Sequence, residues 1–270
     1  MFVREHRVDG APPPHPAGAA GPEDRRALGT LLLIHGLGSW GQCFDRILDH
    51  PDLASWGKLV PDLPGHGRSP WPPTPASLTA LVEGIARWLD DRDETALTLV
   101  GHSLGGVLAQ ILTERFPEHV RAVVDVEGNI SSVDCFFSGR AAALSPIEFC
   151  ESEVEPMIDE IYRAGLEDEA LRDYHASLRM CDPRTFHALS VDLVSLSGSG
   201  TLAARLAALP VPVFYIAGSP GGIGHRSLAL IQAAGLDCTI IEPAGHAPFI
   251  DQPDRFARAL AGIVGRLPAG

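Results

Sequence analysis

Signals that would send the chain to a membrane, a disulfide scaffold or a nucleic acid are missing. Its 270 residues contain five cysteines, an odd number at wide spacing. No C-x-x-C pair occurs among Cys43, Cys135, Cys150, Cys181 and Cys238, which argues against a disulfide framework and a zinc site. No run of about 20 apolar residues occurs, so nothing in the sequence is expected to span a membrane. The opening "MFVREHRVDG" lacks an apolar run of signal-peptide length. Basic residues are few: 21 Lys and Arg against 34 Asp and Glu, a net charge of −13. Such a surface repels phosphate backbones and anionic membranes. A soluble cytoplasmic protein in a reducing compartment is the expectation, with a small molecule and not a nucleic acid as its partner.

What is present is a large apolar fraction, 45% of residues, enough for one sizeable core. After a Pro/Ala/Gly stretch at 11–24, read as surface loop, short apolar runs alternate with helical patterns. Strands are predicted at 30–36, 57–63, 97–103, 121–127, 211–218 and 237–243. They are apolar on both faces, as strands of a helix-covered parallel sheet must be. Helices are predicted at 77–91 and 104–120. This alternation predicts a doubly wound α/β sheet. It is interrupted at 128–208, where "EVEPMIDEIYRAGL" and "LEDEALRDYHASLRM" read as helices. The expected organisation is a core of 1–127 and 209–270 with a helical lid at 128–208.

"LTLVGHSLGG" sets Ser103 between a strand and a helix, in the pattern G-x-S-x-G. The turn is too sharp for side chains two residues before or after the serine, hence Gly101 and Gly105. The amides opening the next helix favour an anion at the same spot.

With "LIHGLGSW" (33–40), "DLPGHGRS" (62–69), "GHSLGG" (101–106) and "AGHAPFIDQPDRF" (244–256) in this order, the chain resembles the α/β-hydrolase superfamily over nearly its whole length. The resemblance implies Ser103 as nucleophile and His246 as its base. It implies an oxyanion hole from the backbone N–H groups of Leu37 and Leu104. His35, His66 and His102 lie in motifs whose histidines shape loops, and Asp62 is expected to support the fold. His119, His175 and His187 are read as surface or packing residues. His225 falls in a predicted loop near the open edge of the sheet, and its role is open.

The third member of the triad is displaced. Most relatives carry an aspartate after the strand equivalent to 211–218, yet from Ser219 to Gly235 there is no Asp or Glu. A minority place the acid one strand earlier. There "RAVVDVEG" offers Asp125 and Glu127, which by strand alternation point to the same side. Glu127, on the strand's last position, is the expected acid, and Asp125 is expected to be a buried hydrogen-bonded residue. Trp40, Phe136 and Phe137 are candidate pocket residues, though the phenylalanines also suit lid packing.

The expected activity is cofactor-independent hydrolysis of an ester, thioester or lactone of a small to medium apolar substrate. A lyase, C–C bond cleavage, acyl transfer or cyclisation by the same triad is the alternative. A non-catalytic receptor is a third reading. No metal or organic cofactor is implied, because no His, Cys and acid cluster has ligand spacing and the glycine loops lack phosphate-binding patterns. Oligomeric state is not legible.

Overall fold

Burial on both faces decides the layering. In the strand Thr30–Ile34, Leu31 and Leu33 enter one apolar cluster while Leu32 and Ile34 enter another. A computed structural model describes residues 1–6 and 29–267; the Pro/Ala/Gly stretch lies outside them. Its strands are β1 (Phe2–His6), β2 (Thr30–Ile34), β3 (Gly57–Asp62), β4 (Leu97–His102), β5 (Val120–Val126), β6 (Val213–Gly221) and β7 (Asp237–Gly245). They form one sheet in the order β1-β3-β2-β4-β5-β6-β7. β1 pairs antiparallel with β3, and the other pairings are parallel. This is an α/β-hydrolase fold.

One cluster packs Leu32, Ile34 and Leu99 against the helices Leu78–Asp90 and Leu104–Arg115. The other packs Leu31, Leu33 and Val124 against Phe249 and the helix Pro253–Val264. Ser77 caps the first of these helices, its hydroxyl accepting the Ala80 N–H at 3.1 Å.

Three expectations need correction. β1 has no counterpart among the predicted strands: "FVREH" is short, partly exposed and mixed in polarity, and only pairing with β3 makes it a strand. The helix predicted at 104–120 stops at Arg115, because Pro117 cannot continue it; a single 3-10 turn, Pro117–His119, leads into β5. His225 opens the helix His225–Ala233 and is not in a loop.

Between β5 and β6 the chain is helical, with helices at Phe136–Ala142, Val154–Ala164, Glu169–Leu178, Pro183–Gly198 and Leu202–Ala207. Phe149 and Phe186 stack within this segment, ring centroids 5.6 Å apart. No helix among the described residues is long and apolar enough to cross a membrane.

Candidate active site

Ser103 sits where β4 gives way to the helix Leu104–Arg115, at φ 53° and ψ −118°. That left-handed backbone is strained for a serine and persists because its surroundings enforce it. A side chain at Gly101 would strike the backbone of Gly105, and one at Gly105 would strike the carbonyl of Ile34. The Ser103 N–H donates to the Val126 carbonyl at 3.0 Å, which ties the turn to the end of β5. A Cβ on Gly36 would lie 3.2 Å from Ser103 Cβ, so the loop carrying Leu37 lies directly against the serine. Leu104 opens the helix, whose first amides have no intrahelical acceptor.

The motif histidines hold these loops. His35 Nε2 accepts the Leu63 N–H at 3.0 Å, so Nδ1 carries the proton and donates to the Gly36 carbonyl at 2.8 Å. His102 Nε2 donates to the His246 carbonyl at 2.8 Å. Burial, with a smaller push from the His246 ring, lowers the His102 imidazole to about 3. Outside the motifs, His119 and His187 are buried and bond the carbonyls of Glu94 and Leu144.

Asp62 is a brace. Its carboxylate accepts the N–H groups of Gly41 at 2.8 Å and Arg68 at 2.9 Å, joining the two glycine-rich loops. Asp62→Ala should destabilise the fold by about 2–3 kcal/mol, because both amides lose their acceptor. Because Asp62 does not line the cavity described below, kcat/KM of the folded fraction should change little. Urea unfolding followed beside ester turnover separates the two effects.

β5 ends at Val126, one residue before the expected end, and Glu127 follows at φ 53°. The left-handed backbone breaks the strand alternation, so the shared-side expectation for Asp125 and Glu127 fails. Asp125 turns to Gly106 and Gly128, where a Cβ on either glycine would collide with its carboxylate. Burial raises the Asp125 carboxyl well above the usual range, against a lowering by the Gly128 amide. Glu127 turns the other way. Its Oε2 lies 3.1 Å from His246 Nδ1, and Oε1 accepts the N–H groups of Gly218 at 2.7 Å and Ile223 at 3.1 Å. Gly218 of β6 and Ile223 in the acid-free stretch beyond it therefore supply amides to the carboxylate that follows β5. A side chain at Gly222 would collide with Glu127 Oε1, so the close approach requires glycine there.

His246 follows β7 and keeps 54% of its side chain exposed, whereas the Glu127 side chain is fully buried. Ser103, Leu37, Glu127, His246, Phe136 and Phe137 line one cavity of about 590 Å³. Leu104 is buried beneath it and absent from its wall. Trp40 is also absent from the wall, contrary to expectation. Its ring packs by Gly67 under the Arg68 guanidinium, 5.5 Å from the centroid, because Asp62 draws the Gly41 turn toward that loop. Sequence reasoning missed Asn129, Tyr174, Leu193 and Phe249 in the wall. Asn129 had a signal, a polar residue two positions beyond Glu127; the helical residues had none beyond amphipathic spacing.

The sequence matches the description "Alpha/beta hydrolase family" over residues 31–259. It is 26% identical over 257 residues to a pimeloyl-[acyl-carrier protein] methyl ester esterase of Neisseria meningitidis, covering 86% of this chain and 91% of that one. Lipase LipV of Mycobacterium tuberculosis is 38% identical over 95 residues, 35% of each chain. Among solved structures, a hydrolase from Pseudomonas aeruginosa PA01 superposes with a TM-score of 0.71 at 25% identity, covering 88% and 90% of the two chains. A carboxylesterase structure from Nitrososphaera gargenis gives 0.76 at 17% identity over 98% and 94%, a likeness of fold. Matched over most of its length, the chain belongs to the α/β hydrolase family.

Proposed function

We propose that the chain is a serine hydrolase that cleaves an ester, thioester or lactone of a small to medium apolar substrate without a cofactor. His246 takes the Ser103 hydroxyl proton as the oxygen attacks the carbonyl. The tetrahedral oxyanion is held by the N–H groups of Leu37 and Leu104. Collapse expels the alcohol or thiol, which receives the proton from His246. Water then releases the acid from the acyl-enzyme by the same steps. Glu127 holds the imidazole tautomer and steadies the imidazolium.

The observation that carries this reading is the 3.1 Å contact of Glu127 Oε2 with His246 Nδ1 in a cavity that also exposes Ser103. The esterase and lipase relatives support the reaction class. Phe136, Phe137, Leu171, Leu193 and Phe249 in the wall support an apolar substrate. Residues 128–208 are a lid over a core formed by 1–127 and 209–270. The five free cysteines fit a cytoplasmic setting.

A fluorophosphonate, which phosphonylates an activated serine, tests the reading. One adduct per chain is expected, on the peptide containing Ser103 and abolished in Ser103→Ala, as read by mass spectrometry. An adduct on another residue, or none under conditions that label an esterase, would overturn the assignment.

A further inference from the structure

The cavity wall is one-sided in charge. Glu127, Asp134, Asp168, Asp173 and Asp251 line it, and among the described residues no lysine or arginine does. Glu127 is occupied by His246. Asp134 Oδ2 accepts the N–H groups of Ile130 and Ser131 and the Ser227 hydroxyl, all of them neutral donors. Asp251 feels the crowding: burial raises its carboxyl, the Gly245 amide lowers it, and Asp168 and Glu169 add repulsion that Arg46 only partly offsets. Arg46 is held by Glu169 at 2.6 Å and Asp173 at 3.5 Å. Arg172 is turned to the carbonyls of Gly165 and Leu166. Two arginines, neither of them in the wall, thus stand against the five acids in it and Glu169 beside them.

A second observation concerns hydrogen bonding. Asn129 is 4% exposed and lines the same cavity. Its Nδ2 donates to the Asp134 carbonyl at 3.3 Å, while its Oδ1 has no partner among the described residues. A buried amide oxygen without a donor is costly, and a ligand N–H or O–H would satisfy it. The wall therefore offers acceptors and negative charge where a substrate tail would lie.

We propose that this cavity selects esters whose acyl part is neutral or carries an ammonium or other hydrogen-bond donor, and rejects acyl chains ending in a carboxylate. The proposal rests on the hydrolase reading and narrows its substrate class. A carboxylate tail would lose its hydration beside like charges that Arg46 offsets only in part. An ammonium tail loses the same hydration but gains the acids and the Asn129 oxygen.

Three p-nitrophenyl esters of equal chain length test it: hexanoate, 6-aminohexanoate and the adipate monoester, at pH 7.5 and low salt. The carboxylate ester should show kcat/KM about thirtyfold below the hexanoate, and the ammonium ester should equal or exceed the hexanoate. In 1 M salt the gap should shrink severalfold. It should also shrink in the double variant Asp168→Asn/Asp173→Asn, in which the amide introduced at position 168 can still cap its helix. Turnover of the carboxylate ester equal to or above the hexanoate would overturn the charge proposal and leave the hydrolase reading standing. Failure of all three esters, with no fluorophosphonate adduct on Ser103, would remove both.

Discussion

Glu127→Gln should lower kcat/KM by about ten-thousand-fold with the fold intact. The two backbone donors at Oε1 make the substitution informative. Glutamine has one carbonyl oxygen and one amide nitrogen. The N–H groups of Gly218 and Ile223 can be met only by the oxygen, so the amide nitrogen is forced toward His246 Nδ1. There it donates where Glu127 accepted, and His246 must hold its proton on Nε2. In the proposed mechanism Nε2 is the nitrogen that takes the Ser103 proton, and already protonated it cannot do so. The opposite amide orientation would set N–H against two N–H groups and is excluded. Packing changes little, because the side chains have the same shape. Urea unfolding should therefore match the parent, while the rate of fluorophosphonate labelling falls with turnover. A loss below tenfold in Glu127→Gln, with the large loss in Asp125→Asn instead, would transfer the role to Asp125.

Features of the molecule encoded in short stretches of sequence are legible from the residues alone. Runs such as "TLLLI" are apolar on both faces, and only a strand covered by helices on both sides buries them all. The turn at Ser103 is legible because its glycines answer a steric demand within five residues. Glu127 is nominated by a gap, the missing acid after β6, and the structure sets its carboxylate against His246. Its backbone is not legible. Alternation presumes extended φ, and at Glu127 the chain switches to φ 53° to send two neighbouring acids in different directions. Trp40 fails for a related reason. Its sequence position is beside the loop of Leu37, but the carboxylate of Asp62, more than twenty residues away, decides where that turn docks. β1 depends on pairing with β3 and has little local signature. Long-range contacts decide each of these cases.

Stability should fall steeply on the acid side. His35, His66 and His102 are buried and neutral in the native state, with His66 near 4, His102 near 3 and His35 also well below the ordinary value, each chiefly through burial. Unfolded, all three return to about 6.5. Between those values the unfolded chain binds protons that the native chain refuses, so stability is lost as pH drops below about 6.5 and until each native value is reached. Asp125 acts in the opposite sense. Its carboxyl is raised, so in the window above the unfolded value the native state holds a proton that the unfolded chain has released, and acidification favours folding there. His66 and His102 alone remove up to about 2.7 kcal/mol per pH unit below 6.5, His35 adds to the loss, and the raised carboxyls of Asp125 and Asp251 oppose it. A loss of that size is a large part of the few to fifteen or so kcal/mol that hold a typical domain together. On the alkaline side, burial raises the thiols of Cys43, to about 12, and Cys181, so stability should also decline once unfolded thiols ionise above about pH 8.5. Urea midpoints from pH 4.5 to 10 should trace a plateau between these limits with a steeper acid edge. Asp125→Asn removes one opposing proton and should steepen that edge. A midpoint unchanged between pH 7 and 5 would mean that the three imidazoles take up protons in the native state. His35 would then lose the acceptor nitrogen that meets the Leu63 N–H, and with it the bond that anchors the loop beside Ser103.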